Sequence, residues 1–66
     1  MKCKLNGSTI DITEGISLSE FLVQQSIITE QVVVEYNKEV LDRGAYELTR
    51  LTEGDQLEIL SFVGGG

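Results

Sequence analysis

Histidine is absent from this 66-residue sequence, and cysteine occurs once, at Cys3. The commonest general base and the commonest metal ligand are therefore missing, and no Cys–His pair can form. One cysteine makes neither an internal disulfide nor, by itself, a metal site, so a reducing, cytoplasmic setting is expected. No apolar run exceeds three residues, as in Val32-Val33-Val34, and neither a membrane-spanning segment nor a signal peptide is expected. Basic residues are also scarce: five Lys and Arg stand against eleven Asp and Glu, a net charge of −6. That charge repels phosphate backbones and anionic lipid, which argues against nucleic-acid and membrane partners and for a protein partner with a basic face. The same absences point away from a self-contained enzyme.

What is present is enough for one small domain. A chain of this length buries only about 60% of its unfolded surface, so nearly every apolar residue must serve the core and no depth remains for a substrate pocket. The opening stretch MKCKLNGSTIDI alternates with period two on both sides of Asn6-Gly7. Cys3 and Leu5 precede the turn on one face, Ile10 and Ile12 follow it, and Lys2, Lys4, Thr9 and Asp11 point outward; Asn-Gly tolerates the two positive φ angles of a type I′ hairpin turn. Ser17, with Glu20 three positions later and apolar Leu18, Phe21 and Leu22 around it, is a capping box. It opens a helix expected to run from about residue 18 to about residue 25.

The stretch IITEQVVVEYNKEVLD is rich in β-branched residues and interrupted at Asn37-Lys38-Glu39, which predicts strand, tight connection, strand, with Val32 and Val34 facing the core. RGAYELTRLTEGD lacks a sustained period and reads as a loop with at most one helical turn around Ala45 to Glu47, pinned by Tyr46 and Leu51. After the turn at Gly54-Asp55 comes a last strand. Its alternation sets Leu57 and Ile59 inward against Gln56, Glu58, Leu60 and Phe62. Leu60 and Phe62 are thus candidates for an exposed apolar docking patch, with neighbouring side chains covering them as the alternative. Some of Glu35, Asp42, Glu47, Asp55 and Glu58 are expected to steer an approaching partner. Cys3 is expected to be a small buried hydrophobe rather than a sulfur relay.

The chain given stops on SFVGGG. Glycine has no side chain to pack and loses the most conformational freedom on ordering, so Gly64-Gly65-Gly66 add nothing to a fold. Either this end is a frayed one, or its main chain and terminal carboxylate are what matter.

With LTEGDQLEILSFVGGG closing a strand-strand-helix-strand-strand order, and VVVEYNKEVLDRGAY in its middle, the whole sequence resembles the ThiS family, the sulfur carriers of thiamine biosynthesis. The resemblance implies an α+β, ubiquitin-like β-grasp fold: a mixed four- to five-stranded sheet with one main helix on one face, first and last strands adjacent. Residues 1–63 would form this domain and residues 64–66 a flexible tail. It further implies that Gly66 carries the reacting carboxylate while Gly64 and Gly65 thread a partner's active site. A separate ATP-using, ThiF-like adenylating enzyme would activate Gly66, and a sulfur donor protein would supply the sulfur of a thiocarboxylate. A ThiG-like thiazole synthase would receive it. The carrier itself would bind no cofactor and no metal, and would have no catalytic side chain. Two other roles fit a Gly-Gly end on this fold: the small subunit of molybdopterin synthase, whose chains are typically somewhat longer, and a ubiquitin-like protein modifier.

Overall fold

The computed structural model describes residues 1–62; Val63, the domain boundary expected after it, and the expected tail Gly64 to Gly66 lie outside the described residues. Strands β1 (Lys2–Leu5) and β2 (Ser8–Asp11) form an antiparallel hairpin with Leu5 opposite Ser8. Its two-residue loop needs left-handed backbone at both positions. Asn6 and Gly7 supply it at φ 49° and 85°, the turn whose twist matches its flanking strands. Strands β3 (Val32–Tyr36) and β4 (Glu39–Val40) repeat the device with Asn37 and Lys38 at φ 50° and 73°. A lysine Cβ is crowded in that region, so this second turn holds strain of about 1–2 kcal/mol.

Between the hairpins lies β5 (Gln56–Ser61). It runs parallel to β1, with Leu5 beside Leu57, and antiparallel to β3 from Val32–Ser61 to Tyr36–Leu57. Among the described residues the sheet has five strands in the order β2-β1-β5-β3-β4, so the adjacency of first and last strands is borne out.

Helix α1 (Leu18–Gln24) begins at the expected capping box: Ser17 Oγ accepts from the Glu20 amide at 3.0 Å, and Glu20 Oε1 accepts from the Ser17 amide at 3.1 Å. Seven residues are too few for a helix to persist alone in water, so α1 depends on burying Leu18, Phe21 and Leu22. Two of its unpaired N-terminal amides find loop carbonyls, Leu18 N–H on Thr49 O at 2.8 Å and Ser19 N–H on Tyr46 O at 3.1 Å. The loop is therefore a structural partner of the helix. Its 3₁₀ turn covers Arg43–Ala45, two residues ahead of the expected one, because the Ala45 amide bonds to Asp42 O. Tyr46 and Leu51 are buried beneath it, as expected. A second 3₁₀ turn at Thr29–Gln31 occupies the start of the β-branched stretch read as strand, where the Gln31 amide turns back to Ile28 O instead of crossing to a neighbour.

The core gathers Cys3, Leu57, Val32 and Val34 from the sheet, Leu18, Phe21 and Leu22 from α1, and Ile12, Ile16, Tyr46 and Leu51 from the connections. Leu57 is 1% exposed and Ile59 is half-buried, whereas Leu60 and Phe62 are 54% and 56% exposed. Period two thus separates a fold-bearing face from an open one. Leu57→Ala is expected to cost about 2–5 kcal/mol of stability, Ile59→Ala less, and Phe62→Ala within about 0.5 kcal/mol of the parent. Denaturant unfolding of the three variants checks this, and equal losses from Leu57→Ala and Phe62→Ala would show the faces to be misassigned.

Candidate functional site

The functional end is where β5 leaves the sheet. The β3–β5 ladder continues one step beyond Ser61, with the Phe62 amide donating to Gln31 O at 3.1 Å, so the backbone is held up to Phe62. The expected tail residues Gly64, Gly65 and Gly66 lie outside the described residues. On the outward face Leu60 stands directly opposite Val33, and Val40 of β4 stands opposite Glu35. With Phe62 they make an apolar strip beside a shallow groove of about 380 Å³, lined by Val33, Val40, Arg43 and Phe62 among others. Leu60 and Phe62 were legible from alternation. Val33 and Val40 were not, because only the pairing register shows which residues of neighbouring strands share a face.

Asp55 was expected among the residues that steer a partner, and the structure overturns this: it is 6% exposed. Its Oδ2 accepts from the Tyr36 hydroxyl and the Thr52 amide, each at 2.8 Å, and its Oδ1 from Asn37 Nδ2 and the Thr52 hydroxyl, each at 3.1 Å. A carboxylate at the first step of β5, among four donors, gains more from bonding than from hydration. Burial pushes this carboxyl up, but the bonds from Thr52, Asn37 and Tyr36 outweigh burial and hold it below the usual 3.8. The Tyr36 phenol is raised, by burial and by its bond to Asp55. The Gly54-Asp55 pair signalled a turn; nothing in the sequence signalled a buried hub.

Cys3 meets its expectation. It is 2% exposed and its Sγ donates to Thr52 O at 3.2 Å, and burial pushes the thiol up. That is the opposite of an activated sulfur nucleophile. Among the described residues no three His, Cys, Asp or Glu side chains gather as a metal site, and no helix is long and apolar enough to cross a membrane.

A single short helix, among the described residues, on one face of a mixed sheet with parallel β1 and β5 at its centre defines a β-grasp protein whose open face lies beside the exit of its last strand. The solved crystal structure of a thiamine biosynthesis protein, ThiS, from Geobacter metallireducens matches it with a TM-score of 0.87 and 36% identity, over 100% of both chains. The ThiS family model matches residues 3–66, and the chain belongs to the ThiS family. The sulfur carrier protein ThiS of Bacillus subtilis is 31% identical over 64 residues, covering 96% of this chain and 97% of that protein. A thiazole synthase of Magnetococcus marinus is 41% identical over 66 residues, all of this chain. The chain spans 20% of the length of the thiazole synthases that it matches.

The Asp55 hub makes stability sensitive to acid. A carboxyl held below its usual value stabilises the fold fully above that value, and the contribution is lost as pH falls through the folded one. Asp55→Asn would turn an amide NH₂ toward groups that already donate, and is expected to cost about 1–3 kcal/mol near neutral pH. Unfolding at a series of pH values checks the sign: the variant's stability should fall less steeply than the parent's between about pH 5 and pH 3.

Proposed function

We propose that this chain is a sulfur carrier of thiamine biosynthesis that works through the carboxylate of Gly66 and not through any side chain. The observation that carries the reading is the family match, which runs to residue 66 and so includes the glycine run. The side chains agree with it: histidine is absent, and Cys3, the only thiol, is buried with its ionisation disfavoured.

A main-chain carboxylate is an anion at neutral pH and a poor electrophile, so it needs activation. In the proposed sequence a separate ATP-using enzyme lets the carboxylate oxygen attack the α-phosphate, and pyrophosphate leaves. A sulfur nucleophile from a donor protein then attacks the acyl carbon and AMP leaves. The resulting thiocarboxylate passes to a thiazole synthase. Gly64 and Gly65 keep the thread free of Cβ atoms. Ordering three residues costs on the order of 3–6 kcal/mol of backbone entropy, which contacts with the partner must offset. Leu60 and Phe62, open on the sheet face where β5 ends, are the proposed apolar contact with the adenylating enzyme.

Removal of Gly66 is expected to abolish ATP-dependent pyrophosphate release and thiocarboxylate formation, read by intact mass, while the unfolding midpoint stays at the parent value. Adenylation retained by the truncated chain would sink the carboxylate mechanism, and lysine-linked conjugates in place of a thiocarboxylate would mark a modifier. The net charge of −6 adds a kinetic expectation. Raising salt from 0.01 M to 1 M shortens the Debye length from about 30 Å to about 3 Å, so association with the adenylating enzyme should slow markedly. A stopped-flow rate indifferent to salt would contradict steering.

A further inference from the structure

Two acidic side chains on the open sheet face are placed where the fold alone would not put them. Glu35 of β3 and Glu58 of β5 are directly opposite each other, on the same face as the Leu60–Val33 pair and Val40. Like charges directly across two strands destabilise the pairing, and a β-branched or apolar pair would serve the sheet better. No cation relieves them. The salt bridges among the described residues are Lys2–Asp11 at 2.8 Å and Arg50–Glu20 at 3.6 Å, and Lys4, beside Gln56 on the neighbouring strand, pairs with neither carboxylate.

We infer that this face is a docking surface in which Glu35 and Glu58 together receive one guanidinium or ammonium group of a thiazole synthase, with Leu60, Val33 and Val40 packing apolar groups around it. The inference rests on the sulfur-carrier reading for the choice of partner. Three observations carry it. The repulsion present in the free chain vanishes when a cation lies between the two carboxylates. The apolar side chains around them exclude water on contact, which strengthens a charge pair across the interface. Finally, two thiazole synthases each contain, within one polypeptide, a segment that matches all of this chain, so the two surfaces occur covalently joined. Arginine suits the site best, since its planar fork can bond to both carboxylates at once.

The test uses the full chain and the thiazole synthase of the same organism, with Glu35→Gln, Glu58→Gln and the double variant, reading affinity by calorimetry at two salt concentrations and stability by denaturant unfolding. Both single variants should unfold at higher denaturant than the parent and yet bind more weakly. The double variant should lose on the order of tenfold in affinity and much of the salt dependence. Double-variant affinity within about twofold of the parent overturns the inference, as does a parent chain that does not bind the synthase. Thiocarboxylate formation by the same preparations, followed by intact mass, reads the carrier function separately. A chain that forms none fails the carrier reading, while the affinity comparison still decides the docking surface.

Discussion

Strand β5 is bonded along both edges by segments that do not otherwise meet, and everything else in the molecule is arranged around that fact. β1 takes one edge in parallel and β3 the other in antiparallel. Where the β1 ladder stops, a side chain continues it: Asn6 accepts from the Ile59 amide at 2.8 Å and donates to its carbonyl at 3.3 Å. On the other edge Asn37 accepts from the Gln56 amide at 2.8 Å. Both asparagines sit in left-handed backbone at the first position of a hairpin turn, so the residue that lets the chain reverse also grips the central strand. Asp55, one residue before β5, ties the same hairpin to the Thr52 loop. The strand is fixed at entry, along its length and at exit.

That fixation explains the division between the two faces. α1 and the segment 43–51 cover one side, and they hold each other through Leu18–Thr49 and Leu51–Ile16 backbone bonds of 2.8 and 2.9 Å. The other side has no covering element among the described residues, so its Leu60, Phe62 and Val40 remain in water. For so small a domain this is a real sacrifice of burial. It leaves a rigid, partly apolar plane next to the point where the backbone departs toward Gly66. The body orients and the main chain reacts.

Much of this was legible before any coordinates. Asn-Gly between alternating residues fixed the first hairpin, and Ser17 with Glu20 fixed the start of α1, because each is a local device whose partners lie within a few residues. The inward and outward residues of β5 followed from period two alone. The paths of residues 29–31 and 43–45 were harder. Both form 3₁₀ turns whose bonds suit long-range docking, and their composition, β-branched in one and mixed in the other, carries no such signal. Asp55 looked like one more surface acid because burial of a carboxylate depends on donors from positions 36 and 37 as well as 52, which only the tertiary fold assembles. The Glu35–Glu58 juxtaposition was hidden for the same reason: register between strands far apart in sequence is not written in either strand.

The central place of β5 also governs when this protein can come into being. It is the last strand described, yet it is the neighbour that both hairpins require. A nascent chain translated as far as Thr52 holds two hairpins and a capped helical segment with nothing to join them, and isolated hairpins are at best marginal in water. At a synthesis rate of about 5–20 residues per second, the final strand follows within a few seconds. Its closure of the loop from Leu5 to Leu57 is a long-range contact of the kind that slows folding. Folding is therefore deferred until translation of the body is essentially complete. A ribosome that stalls early releases a fragment without a core, fit for proteolysis, and not a folded carrier lacking its reactive end.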